Sequence, residues 1–127
     1  MRMSNVESQL TNAVVFLTND LMFSSQVLGA AAKLGLKLAL AANAADVAAR
    51  LTGDCRLVLV DLTLPGLDLP AVVAAVRECA PAARIVAFGP HVDEQALAAA
   101  EQSGANLVLS RGQFHREYAQ LLAAAAK

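Results

Sequence analysis

Apolar positions along this chain alternate between two periods. Residues 13–18 (AVVFLT), 36–40 (LKLAL), 56–60 (RLVLV), 84–88 (RIVAF) and 106–110 (NLVLS) are short aliphatic runs. Runs of this length, apolar on both faces, are the mark of buried parallel strands. Between them the spacing turns helical: Leu21, Val27, Leu28, Ala31 and Leu34 follow the first run, and Val72, Val73, Val76 and Cys79 the third. Phe114, Tyr118, Leu121 and Leu122 follow the last, predicting a core-facing helix from about Phe114 to Ala126.

The punctuation agrees with the periods. Gly35 stops the first helix, Asn43 caps a second that runs through Leu51, and Gly53 ends it. Asp68 caps a third helix with Pro70 in its first turn, closed by Pro81; a fourth begins near Asp93 or Glu94 and ends by Gly104. Five strand–helix units require parallel strands joined by right-handed crossovers. Too few for an eight-stranded barrel, they predict an open, doubly wound α/β sheet of order 2-1-3-4-5 with helices on both faces. The crevice between the first and third strands is then the switch point where such folds place ligands. Residues 1–12 read as an N-terminal tail and 13–127 as one domain.

Composition narrows the functional classes. The chain is 57% hydrophobic and 17% charged, enough to bury a large core. Net charge is −1, with basic and acidic residues mixed along the length, which argues against a nucleic-acid or anionic-membrane surface. No apolar run approaches the ~18–20 residues of a membrane span, and MRMSNVESQL lacks the apolar core of a signal peptide. A soluble cytoplasmic protein is expected. Cys55 and Cys79 have no metal-ligand spacing and read as two buried thiols; His91 and His115 read as surface residues. The segment after the first strand, FLTNDLMF, has no phosphate-binding glycine loop, and Ser24 and Ser25 have no nucleophile-elbow context. Nucleotide-binding, hydrolase and dehydrogenase readings therefore lack residues, and no enzyme is expected.

Asp61, at the end of the third strand, lies at the predicted crevice. A carboxylate after an apolar run is costly to bury unless it is solvated, paired or bound to a cation. The segment VLVDLTLPGLD (58–68) resembles the phosphoacceptor segment of the receiver domains of two-component signalling. DEQALAAAEQSGANLVLSR (93–111), with Gly104–Ala105, is similar to that family's fourth helix and fifth strand. The resemblance implies a flavodoxin-like (βα)5 sandwich that relays signals through protein partners, a histidine kinase among them. It also implies Mg²⁺ at an acidic pair, an Asp that accepts a phosphoryl group, a Thr or Ser after the fourth strand, and a Lys after the fifth.

Only the Asp is kept. The acidic pair falls on Thr18 and Asn19, with Asp20 one residue beyond; Asp20 either reaches the metal from the loop or caps the first helix. With Asp61 and the Thr63 carbonyl these would form a weak Mg²⁺ site. The hydroxyl position is Gly89 and the lysine position Arg111, followed by Gly112 where the family has proline. Arg111 keeps the charge with a different fork and length. Without the proline a trans bond and a shifted loop are expected, a cis bond costing ~3 kcal/mol. The expectation is an atypical, pseudo-receiver module acting by protein–protein interaction. The alternative is a working receiver phosphorylated on Asp61 in a phosphorelay. A flavodoxin-like small-ligand domain is a third reading, disfavoured by the missing phosphate loop. The alanine-rich fourth helix, with the fifth strand and fifth helix, is the expected face for a homodimer.

Overall fold

A computed structural model describes residues 12–127. Residues 1–11, which make up nearly all of the expected tail, lie outside the described residues. The chain runs β1 (Val14–Leu17), α1 (Leu21–Lys33), β2 (Leu38–Ala41), α2 (Ala44–Arg50), β3 (Leu57–Asp61), α3 (Leu69–Cys79), β4 (Arg84–Gly89), α4 (Glu94–Gln102), β5 (Leu107–Ser110) and α5 (Arg111–Ala125). All pairings are parallel and the sheet order is β2-β1-β3-β4-β5, as expected.

The strict alternation of a strand sends neighbouring side chains to opposite faces, and each face meets its own helices. Val15, Leu17, Val58, Val60, Ile85 and Ala87 pack under α2, α3 and α4, against Val47, Val72, Val76 and Ala100. Val14, Phe16, Leu59, Val86 and Phe88 pack under α1 and α5, against Phe23, Val27, Phe114 and Leu122. All four phenylalanines of the chain therefore lie in one layer, where Phe88 and Phe114 stack with ring centroids 3.9 Å apart.

Each helix starts on a side chain that accepts from its first-turn backbone: Asp20, Asn43, Asp68, Asp93 and Ser110. The last differs from the sequence expectation. Ser110 and Gln113 form a reciprocal capping box, with Gln113 N donating to Ser110 Oγ at 3.2 Å and Ser110 N to Gln113 Oε1 at 2.8 Å. Consequently α5 begins at Arg111, three residues before the expected start, and Gly112 sits in its first turn. The expected shifted loop is replaced by helix, and the peptide bonds of the described residues are all trans.

Cys79 also departs from expectation: it is exposed, whereas Cys55 is buried. The buried seam of α3 runs Leu69, Val72, Val76 and then one full turn on to Ala80, leaving Cys79 outside it. Burial pushes the Cys55 thiol above its ordinary range. One thiol should thus react rapidly with a maleimide in the native protein and the second only on unfolding. Two fast thiols would contradict the packing of the β1–β3 edge.

Candidate functional site

The carboxyl ends of β1 and β3, the start of α1 and the first residue of α5 meet at one point. Asp61 closes β3 and is 1% exposed. Its burial follows from register, since it pairs with Phe88 in the middle of the sheet edge rather than projecting beyond it. Both oxygens are occupied. Thr18 Oγ1 donates to Oδ2 at 2.8 Å. Thr63 donates to Oδ1 twice, from its backbone N at 3.0 Å and its hydroxyl at 2.6 Å. Hydrogen bonds to a buried carboxylate offset part of its desolvation cost.

Arg111 supplies the counter-charge. Its Nη2 lies 3.7 Å from Asp61 Oδ1 and 3.5 Å from Thr63 Oγ1, while Nη1 lies 3.8 Å from Asp20 Oδ2. The guanidinium thus bridges two carboxylates, one from β3 and one from the start of α1. Beneath it lies the Phe88 ring, 5.8 Å from Cζ, within the range of a cation–π contact. The early start of α5 makes this reach possible, because Arg111 leaves the sheet edge in a helical first turn fixed by the Ser110 cap.

Of the two roles weighed from sequence, the helix cap is the one that Asp20 fills. Oδ1 accepts from Phe23 N at 3.0 Å and caps α1, while Oδ2 faces Arg111. Its backbone N donates to Thr18 Oγ1 at 3.1 Å, so Thr18 links Asp20 to Asp61. Asn19 is exposed and takes no part in the hydrogen bonds around Asp61. Gly89 is buried beneath Leu62, and a Cβ built on it would come 3.3 Å from Leu62 Cβ. The structure therefore brings together Asp61, Thr63, Asp20 and Arg111, places Gly89 next door, and leaves Asn19 outside.

No protein-family model matches the chain, and a search of curated proteins finds no match. Solved structures do match. The receiver domain of NtrX from Brucella abortus is 21% identical, with 89% of this chain and 96% of that one covered at a TM-score of 0.67. A response regulator from Chloroflexus aurantiacus is 17% identical over 91% of this chain and 98% of its own, with a TM-score of 0.71. The receiver domain of a sensor histidine kinase from Pseudomonas aeruginosa, which has magnesium coordinated in its active site cleft, is 16% identical over 89% and 98%, with a TM-score of 0.64. The fold is the receiver fold.

Three parts of this site on the receiver fold were not anticipated: the Thr18 hydroxyl as a donor to Asp61, Phe88 beneath the guanidinium, and Leu62 over Gly89. Thr18 carried a usable signal, a hydroxyl residue at the end of an apolar strand beside the one that Asp61 ends. His115, on the surface as expected, stacks on Phe23 with centroids 4.0 Å apart and serves the α1–α5 contact. Thr18→Val should cost about 1–3 kcal/mol by leaving a buried carboxylate oxygen without its donor. In an Asp61→Ala background the same change should cost much less. Equal losses in the two backgrounds, measured by urea unfolding, would contradict the pairing.

Proposed function

We propose that this chain is a receiver-like signalling module whose docking face is set by an internal ion bridge and works without phosphorylation. The observation that carries the reading is Arg111 lying between Asp61 and Asp20. A receiver needs a divalent cation in that space, bound by carboxylates. Here Thr18 stands where the first carboxylate belongs, Asn19 is exposed, one Asp20 oxygen is committed to a helix cap and the other faces a guanidinium. Mg²⁺ prefers near-octahedral oxygen donors and sheds water reluctantly. One buried carboxylate, a neutral hydroxyl and the Thr63 backbone beside a fixed positive charge do not fit it. The reading therefore routes no step through Mg²⁺.

The second half of the switch is also compromised. Gly89 has no hydroxyl to follow a phosphoryl group, and Leu62 fills the space a side chain there would use. Output then rests on a surface of constant shape. Leu21 and Met22, 78% and 82% exposed at the start of α1 beside the ion bridge, offer apolar contact area to a protein partner. The outward residues of α4, mainly alanine, glutamine and glutamate, offer less of it, so the homodimer face expected from sequence has weaker support than α1.

The alternative, a working phosphoacceptor, is favoured by Asp61 itself, which ends β3 at the switch point with Thr63 beside it. In it a histidine kinase is the partner, Asp61 the nucleophile, and Arg111 neutralises the phosphoryl group. Intact mass after incubation with Mg²⁺ and a small phosphodonor separates the two. The ion-bridge reading expects no added phosphoryl group under conditions that label an ordinary receiver. A gain in the parent, absent from Asp61→Asn, would establish the alternative.

A further inference from the structure

The sheet ends at β2 on one side, and that edge is bare. From Leu38 to Ala42 it carries only leucine and alanine in unbroken register, with none of the prolines, bulges or charges that blunt an edge. The carbonyl of Lys37 accepts from Val14 N at 3.2 Å and that of Ala41 from Thr18 N at 3.1 Å, so both turn inward to β1. By the alternation of a strand, the N–H and C=O of Leu38 and Leu40 point to the open edge. The side chains alternate as well. Leu38 and Leu40 pack beneath α1, while Ala41 belongs to the layer under α2, and Lys37 and Ala39 share its side of the sheet.

The helix α1 extends this apolar edge. Phe23 turns to α5, against Phe114 and Tyr118. Away from α5, Leu21, Ser25, Leu28 and Ala32 form a seam at i, i+4, i+7 and i+11, the spacing with which one helix packs along another. All four are exposed, Leu21 to 78% and Leu28 to 41%. Leu21 also lines a hollow of about 390 Å³ with Leu40, Ala41 and Ala42, so seam and strand edge make one surface. Asp46 and Arg50 stand 3.8 Å apart in its wall, and Asp46 Oδ2 accepts from Ala42 N at 3.0 Å.

We propose that two copies of this chain pair β2 to β2 about a two-fold axis normal to the sheet, which joins the sheets and lays the α1 seams side by side. Such an axis runs the strands antiparallel, and outward groups must meet outward groups. Leu38 therefore lies opposite the partner's Leu40, and Ala39 opposite the partner's Ala39. A second copy is the occupant because the surface is its own complement. Exposed Lys37 comes opposite the partner's Ala41, beside the carboxylate of the partner's Asp46. Antiparallel seams set Leu21 against the partner's Ala32 and Leu28 against the partner's Ser25, large against small. The homodimer expected at β5 thus falls at the opposite edge. The proposal rests on the reading of α1 as a docking face and names its partner; it does not depend on whether Asp61 accepts a phosphoryl group.

Sedimentation velocity of the full chain over a micromolar-to-millimolar series tests this. The weight-average mass should rise to that of a dimer and no further, because an isologous contact closes on itself. Over the same series the amides of Leu38 and Leu40 should exchange more slowly with solvent, while that of Ala39, turned to β1, should not change. Ala39→Lys and Ala39→Glu, each checked for native circular dichroism, should be monomeric alone, since like charges then sit directly opposite across the axis. Mixed, the two should dimerise. A parent that stays monomeric at millimolar concentration would overturn the proposal and leave Leu21 and Met22 to a different protein. A dimer with no added protection at Leu38 and Leu40, or a mixture that stays monomeric, would overturn it as well.

Discussion

A carboxylate held at the end of a buried strand is the constraint on which the rest of this site turns. Asp61 cannot be reached freely by water, and an uncompensated charge there would cost the fold several kcal/mol. The chain meets the constraint from within. Two threonines donate to both oxygens, and Arg111 brings a positive charge to one of them. The same guanidinium reaches Asp20, so β3, α5 and the start of α1 are tied at the point where the sheet order reverses. Solvent reaches Arg111 in part, which keeps the direct energetic worth of the bridge modest. In the reading proposed for this chain its consequence lies in occupancy, since a fixed cation stands where a bound one would be needed.

The fold was legible because every level of the sequence agreed. Five apolar runs, four of five helix caps, the glycine and proline stops and the Asp61 terminus all pointed to one topology, and consistency of that kind specifies a structure. Where reading failed, it failed locally. The Ser110–Gln113 capping box was present as a residue pair three apart, yet Gly112 suggested a loop, and helix propensity lost to the cap. Cys79 was assigned to the core because its spacing from Val76 suited a helix face, but the next seam position was Ala80.

The site was half legible. Asp61, Arg111 and Asp20 could be singled out by type and position, and they do converge. What sequence could not supply was the direction of Thr18, the depth of Phe88 or the position of Leu62, each set by register and packing between segments distant in the chain. A row of exposed cations was hidden for a related reason. Cations at Lys37, Arg56 and Arg84 are scattered in sequence, and only parallel registration brings them to one edge.

The claim that Arg111 takes the cation's place is tested most directly by calorimetric titration of the purified chain with Mg²⁺, beside Arg111→Ala. The ion-bridge account predicts no saturable binding by the parent in the millimolar range. It predicts a gain of roughly tenfold or more in affinity, about 1.4 kcal/mol, once the guanidinium is removed. Saturable binding by the parent at submillimolar Mg²⁺, unchanged or weakened in Arg111→Ala, would contradict it and return Asp61 to the role of a metal-assisted phosphoacceptor.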